Sequence, residues 1–209
     1  MFKYLTFFKI IPLLFLLAPI SSFAENKMVV LGDSLTEGYG VSKDSAFPAL
    51  LEKKISSVGK SWIVVNAGVT GSTTASGPGR LKWILNNKDL SSQPKIILII
   101  LGANDGLRGL KAEDSQKNLS KTIELIQAKK IKVVLGGIYM PPNYGKDYTE
   151  KFKKIYSELA QKYKIKLIPF ILDKVGGNAK YNLADGIHPN EEGHKIIAEN
   201  IYESIKDIL

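Results

Sequence analysis

Cysteine is missing from all 209 residues. Disulfides, thiolate metal sites, a cysteine nucleophile and a lipid-modified cysteine are thereby excluded together. Histidine is scarce, with His188 and His194 the whole supply. Scattered carboxylates without a His cluster do not make a metal-hydrolase ligand set, so neither a metal nor a cofactor is expected. Acidic residues are the scarcer charge, 20 against 29 Lys and Arg, which leaves a formal +9. Lysines are spread along helical stretches such as Lys151-Phe152-Lys153-Lys154 and mixed with glutamates. That pattern reads as a solvated surface, with no nucleic acid expected and weak contact with an anionic membrane surface left open.

A membrane-length apolar run is also lacking. Ile10 to Ala18 is apolar but interrupted by Pro12 and short of the ~20 residues a span needs. Lys3 and Lys9 accompany it, and Ser21-Ser22-Phe23-Ala24 follows, with small residues at −3 and −1 of a cut after Ala24. Residues 1–24 read as a secretory signal peptide, so the protein is expected to be exported, to the periplasm or beyond the cell. The remaining 25–209 suffice for one domain, expected as a monomer, with no repeat or linker.

Apolar runs alternate with helical patterns along that domain. Strands are predicted at Met28–Leu31, Trp62–Asn66, Ile96–Leu101, Lys132–Leu135 and Leu167–Phe170, the last an edge because of Pro169. Helices are predicted at Phe47–Val58, Ala112–Lys129, Tyr148–Tyr163 and from Glu191 to the end. Continuous apolar strands between helices imply a mostly parallel sheet of about five strands covered on both faces, a three-layer α/β/α sandwich. Ligands of such sheets bind outside the carboxyl ends of the strands.

Four segments fall at those ends. Gly32-Asp33-Ser34-Leu35 places a serine straight after a strand, where it fits either a helix cap or an exposed nucleophile. Asp185-Gly186-Ile187-His188-Pro189 offers the base a serine needs, with a carboxylate three residues away to orient it. It fits equally a turn before a helix with Pro189 in its first positions. His194, inside the last helix, reads as structural or solvent-facing. Gly68, in Asn66-Ala67-Gly68, offers an unobstructed N–H. Asn104, in Gly102-Ala103-Asn104-Asp105, offers an amide where acyl transfer builds an oxyanion. There is no G-x-S-x-G, H-E-x-x-H, Walker loop or G-x-G-x-x-G.

With these four blocks in order, the chain resembles the GDSL or SGNH hydrolases over the whole 25–209 domain, whose flavodoxin-like fold the resemblance implies. It also implies Ser34 as nucleophile, Asp185 and His188 as partners, and an oxyanion hole from Ser34 N–H, Gly68 N–H and the Asn104 amide. Within that family the implied reaction is hydrolysis of carboxylic esters, acyl thioesters and lysophospholipids, with a small acyl ester or lipid as substrate. Ala103 stands where a close relative has glycine, without expected loss of mechanism. The segment Asp173 to Leu183, with Gly176-Gly177-Asn178, looks more flexible than its counterpart and leaves chain-length preference open. An acyl groove is expected around Leu107, Leu110, Ile138, Tyr139, Met140, Pro141 and Pro142. The rivals are a carbohydrate deacetylase or arylesterase on the same site, and a non-catalytic exported binding module.

Overall fold

The computed structural model describes residues 26–87 and 93–209. The expected signal peptide, residues 1–24, lies outside the described residues. In chain order the structure runs β1 (Asn26–Gly32), α1 (Ser34–Glu37), α2 (Phe47–Ser57), β2 (Trp62–Gly68) and α3 (Gly77–Asn86). It continues through β3 (Ile96–Ile100), α4 (Ala103–Leu107), α5 (Ala112–Gln127), β4 (Lys132–Gly136), α6 (Lys146–Tyr163), β5 (Lys166–Ile168) and α7 (Glu191–Ile205).

The strands form one sheet in the order β2-β1-β3-β4-β5, every pair parallel. β3 is Ile-Ile-Leu-Ile-Ile and wholly buried. It is central because a strand covered on both faces can carry branched apolar side chains at every position. β2 and β5 are the edges. Helices α2 and α7 pack on each other, and α3, α5 and α6 pack in series. This is the arrangement that right-handed crossovers impose on this strand order. The chain reverses direction across the sheet between β1 and β3, which opens a crevice beyond their carboxyl ends.

The expected sheet of about five mostly parallel strands is borne out, with all five strands parallel among the described residues. One helix, α3, occupies a stretch for which the sequence predicted no element. Its opening Gly-Pro-Gly resembles a turn, but proline is tolerated in a first helical turn, where its missing N–H is not needed. The buried Leu81 and Ile84 then seat it on the core.

α7 is fixed at its start and along its length. Asn190 caps it, accepting the Gly193 N–H at 3.0 Å. His194 is buried, and its Nδ1 accepts the Phe47 N–H of α2 at 3.2 Å. The histidine that could have faced solvent is therefore structural, and satisfies the first N–H of α2, which has no side-chain cap of its own. Among the described residues no helix is long and apolar enough to cross a membrane.

Candidate active site

Ser34 begins α1 directly after β1. Asp33 caps that turn, its Oδ1 accepting the Leu35 N–H at 3.0 Å. The cap ends the strand abruptly and leaves Ser34 at the lip of the crevice, 8% exposed. His188 arrives from the loop before α7. That loop is held by Leu183 N–H donating to the His188 carbonyl at 2.8 Å, and by a bridge between Asn182 and Pro189. His188 Nε2 lies 3.0 Å from Ser34 Oγ, and Nδ1 lies 2.7 Å from Asp185 Oδ2. Asp185 Oδ1 accepts the backbone N–H groups of Ile187 and His188, each at 3.0 Å.

These bonds set the electrostatics. The His188 N–H, then the imidazole itself, then the Ile187 N–H hold the Asp185 carboxyl down at about 2, so it is ionised at neutral pH. An acceptor-only carboxylate on Nδ1 leaves Nε2 with its lone pair facing the serine hydroxyl. Serine, imidazole and carboxylate joined in this order can move a proton off Oγ and stabilise the imidazolium that results. Tyr39 lies against the other side of the imidazole, ring centroids 4.5 Å apart.

The donors around Ser34 differ in part from expectation. Asn104, in α4, is in place on the crevice wall, its Nδ2 donating to the Ser72 carbonyl at 3.0 Å with Asp33 Oδ2 at 3.5 Å. Gly68 is a correction. It is the last residue of an edge strand, and its N–H is taken by Asn66 Oδ1 at 2.9 Å. It lines a different cleft, with Glu37, Asp44 and Glu52. Its Cα packs so closely on α1 that a Cβ would stand 2.1 Å from the Glu37 nitrogen. Gly68 is thus a packing glycine. Three residues on, Gly71 sits at φ +78, with its carbonyl held by Arg108 at 3.2 Å. Its N–H and that of Ser34 have no acceptor within the described residues. The signal available in the sequence was only a second glycine in the same loop.

The loop that carries Gly71 and Ser72 is clamped to α4 by Asp105. This buried carboxylate accepts the Thr74 N–H at 2.9 Å, the Thr74 hydroxyl at 2.5 Å and the Ser115 hydroxyl at 3.0 Å. Arg80, half-buried on α3, donates to the carbonyls of Gly32 (2.7 Å) and Ala67, tying the ends of β1 and β2. Asp33 itself is fully buried, and burial raises its carboxyl to about 6. The Leu35 N–H, its own N–H and the charges of His188 and Arg80 oppose that rise.

Ser34 and His188 open into a mainly apolar groove of about 330 Å³. Its lining includes Leu107, Ile138, Tyr139, Met140, Pro141 and Pro142 together with Phe170, Leu172, Gly176, Gly177 and Ile187. Tyr139 and Phe170, both in this lining, stack with ring centroids 4.4 Å apart. Leu110 is the second correction: it is 41% exposed and outside the groove, its carbonyl held by the Tyr148 hydroxyl. Among the described residues no three His, Asp or Glu side chains are grouped to hold a metal ion.

Comparison with known proteins gives consistent matches. The model of the GDSL-like Lipase/Acylhydrolase family matches residues 30–196. An arylesterase of Vibrio mimicus is 38% identical over 192 residues, which is 92% of this chain and 94% of that protein. The thioesterase 1/protease 1/lysophospholipase L1 of Escherichia coli K12 is 34% identical over 200 residues, 95% of this chain and 93% of that one. The crystal structure of TesA superposes with a TM-score of 0.83 at 37% identity, covering 88% of this chain and 100% of its own.

Proposed function

The chain belongs to the GDSL-like lipase/acylhydrolase family, and from that premise we propose a serine hydrolase of carboxylic esters and acyl thioesters that works through an acyl-enzyme on Ser34. Ser34 Oγ attacks the carbonyl while its proton passes to His188 Nε2. Asp185 remains ionised and stabilises the imidazolium through Nδ1. The oxyanion is received by the N–H groups of Ser34 and Gly71 and by the Asn104 amide. His188 then returns its proton to the departing alkoxide or thiolate. A water, giving a proton to the same nitrogen, attacks the acyl-enzyme, and His188 returns that proton to Ser34 Oγ as the ester bond breaks and the acid leaves. No step asks for a cofactor or a second subunit.

The observation that carries this reading is the 3.0 Å and 2.7 Å relay from Ser34 through His188 to Asp185 at the mouth of an apolar groove. The groove wall favours acyl chains, including those of lysophospholipids, over acetylated sugars, whose hydroxyls would find few partners there. The Lys3-to-Ala24 segment supports export and work in the periplasm. A fluorophosphonate probe is the test. It should add its mass to Ser34 in the native protein and to nothing in Ser34→Ala, with turnover of p-nitrophenyl esters lost in that variant. An unlabelled, active protein would refute the assignment and revive the binding-module reading.

A further inference from the structure

Asp33 takes no part in the acyl-transfer steps above, yet it stands fully buried directly before Ser34. A charge placed there is costly unless something compensates it. Capping α1 does not demand one, because a serine or asparagine oxygen caps a helix about as well. The second carboxylate oxygen has a separate neighbour. Asp33 Oδ2 lies 3.5 Å from Asn104 Nδ2, whose other contact is the Ser72 carbonyl at 3.0 Å.

An asparagine amide is nearly symmetric in shape, and a half-turn about its last torsion exchanges oxygen for nitrogen at little steric cost. The flanking groups decide which end faces which way. A backbone carbonyl and an ionised carboxylate only accept hydrogen bonds, so the nitrogen must face them. If Asp33 takes up a proton it becomes a donor, and the flipped amide is no longer penalised on that side. Flipped, Asn104 presents an acceptor toward Asp33 and loses the geometry of a fixed donor.

We infer that ionised Asp33 is a positioning residue that holds Asn104 nitrogen-first, so that the N–H not taken by the Ser72 carbonyl, only 3.5 Å from Asp33 in the resting site, is free to turn to the oxyanion as a donor. This rests on the oxyanion role proposed for Asn104. The charged and titratable groups around Asp33 come from three other segments. Arg80 of α3 and His188 act on its charge. Tyr156 of α6, a buried phenol donating to the Leu101 carbonyl, is kept neutral by its burial, with Asp105 and Asp33 adding to the effect. Glu37, at the end of α1, in turn faces Arg80. Burial brings the loss of charge on Asp33 to about 6, so mild acidification leaves the Ser72 carbonyl as the one acceptor still opposing the flip.

The experiment is kcat and KM for a soluble p-nitrophenyl ester between pH 5 and 8, for the native protein, Asp33→Asn, Asn104→Ala and the double variant. Asp33→Asn keeps an oxygen for the Leu35 N–H and turns a donor toward Asn104. It should lower kcat about tenfold, a part of the ~10²–10³-fold one oxyanion donor supplies, with KM changed less than about twofold. In the Asn104→Ala background the same change should cost less than about twofold. The acid limb of the native kcat profile should contain an ionisation that Asn104→Ala lacks. Equal losses in both backgrounds, or that ionisation persisting in Asn104→Ala, overturns the inference; the second comparison decides even where Asp33→Asn does not fold. An unchanged kcat in Asn104→Ala alone would instead refute the oxyanion role of Asn104.

Discussion

Protonating His194 means placing a charge in the interface between α2 and α7, where its Nδ1 already accepts a backbone N–H. Burial, with a smaller contribution from the charge of His188, lowers its pKa from 6.5 to about 4. The unfolded chain therefore binds that proton more tightly than the folded one. Stability that is fully present above about pH 6.5 is lost as pH falls toward 4. At 1.36 kcal/mol per pKa unit, the fall from pH 7 to 5 should cost about 2 kcal/mol through His194. Asp33 works in the opposite sense. Its folded carboxyl, up at about 6, takes protons more readily than the unfolded one, and returns about 1 kcal/mol over the same interval. The native protein should thus lose only about 1 kcal/mol net, while His194→Gln should gain about 1. The assay is urea unfolding at pH 7 and pH 5, followed by the fluorescence of Trp62, which is buried in β2. With a denaturant slope of about 2 kcal/mol per molar, the midpoints of the two proteins should diverge by about 1 M between those pH values. Any fixed cost of the glutamine cancels in this difference. Midpoints that move in parallel, within about 0.2 M, would refute the burial argument for His194.

Asn104→Ala should lower kcat by ~10²–10³-fold with little change in KM, measured by steady-state hydrolysis of a p-nitrophenyl ester. Gly102→Ala should destabilise the fold by about 2–4 kcal/mol in urea titration, since the residue sits at φ +125 and its Cβ would stand 2.1 Å from the Tyr156 hydroxyl. In a series of acyl esters, kcat/KM should rise about fourfold per methylene, from ~0.8 kcal/mol each, until the groove is full. Leu172→Trp, on the groove wall, should end that rise at a shorter chain while leaving acetyl ester turnover near native; loss on all chain lengths alike would argue against the groove as the acyl site.

The core strands were legible because burial on both faces selects unbroken apolar runs, and Ile96 to Ile100 could hardly be anything else. Ser34, His188 and Asp185 were legible by type and position, as a hydroxyl, an imidazole and a carboxylate at strand ends, and the structure joins them in that order. The misread residues fail for a common reason. Gly68 and Gly71 are alike as letters, and only the edge position of β2 and the reach of the Asn66 side chain show which N–H is occupied. Leu110 is as apolar as Leu107, but the Tyr148 hydroxyl holds the backbone that carries it, and its side chain stays exposed outside the groove. α3 was hidden because its start looks like a turn, and its commitment to helix comes from Leu81 and Ile84 meeting the core. Asp33 read as part of a motif, and its burial, the property that makes it chemically interesting, has no sequence signature.

Ser34 and His188 are 154 positions apart, and the second is delivered only by the segment that leads into α7. Any form of the chain in which the sheet and the strand-end serine are in place but this last segment is undocked would lack the Ser34–His188 contact. The serine then has no base beside it and is as inert as any other hydroxyl. Seating α7 on α2, where His194 meets the Phe47 N–H, is the event that closes the circuit. The appearance of ester turnover in a refolding experiment is consequently a clock for the docking of the final helix, and a folding intermediate without it can meet its substrate without cleaving it.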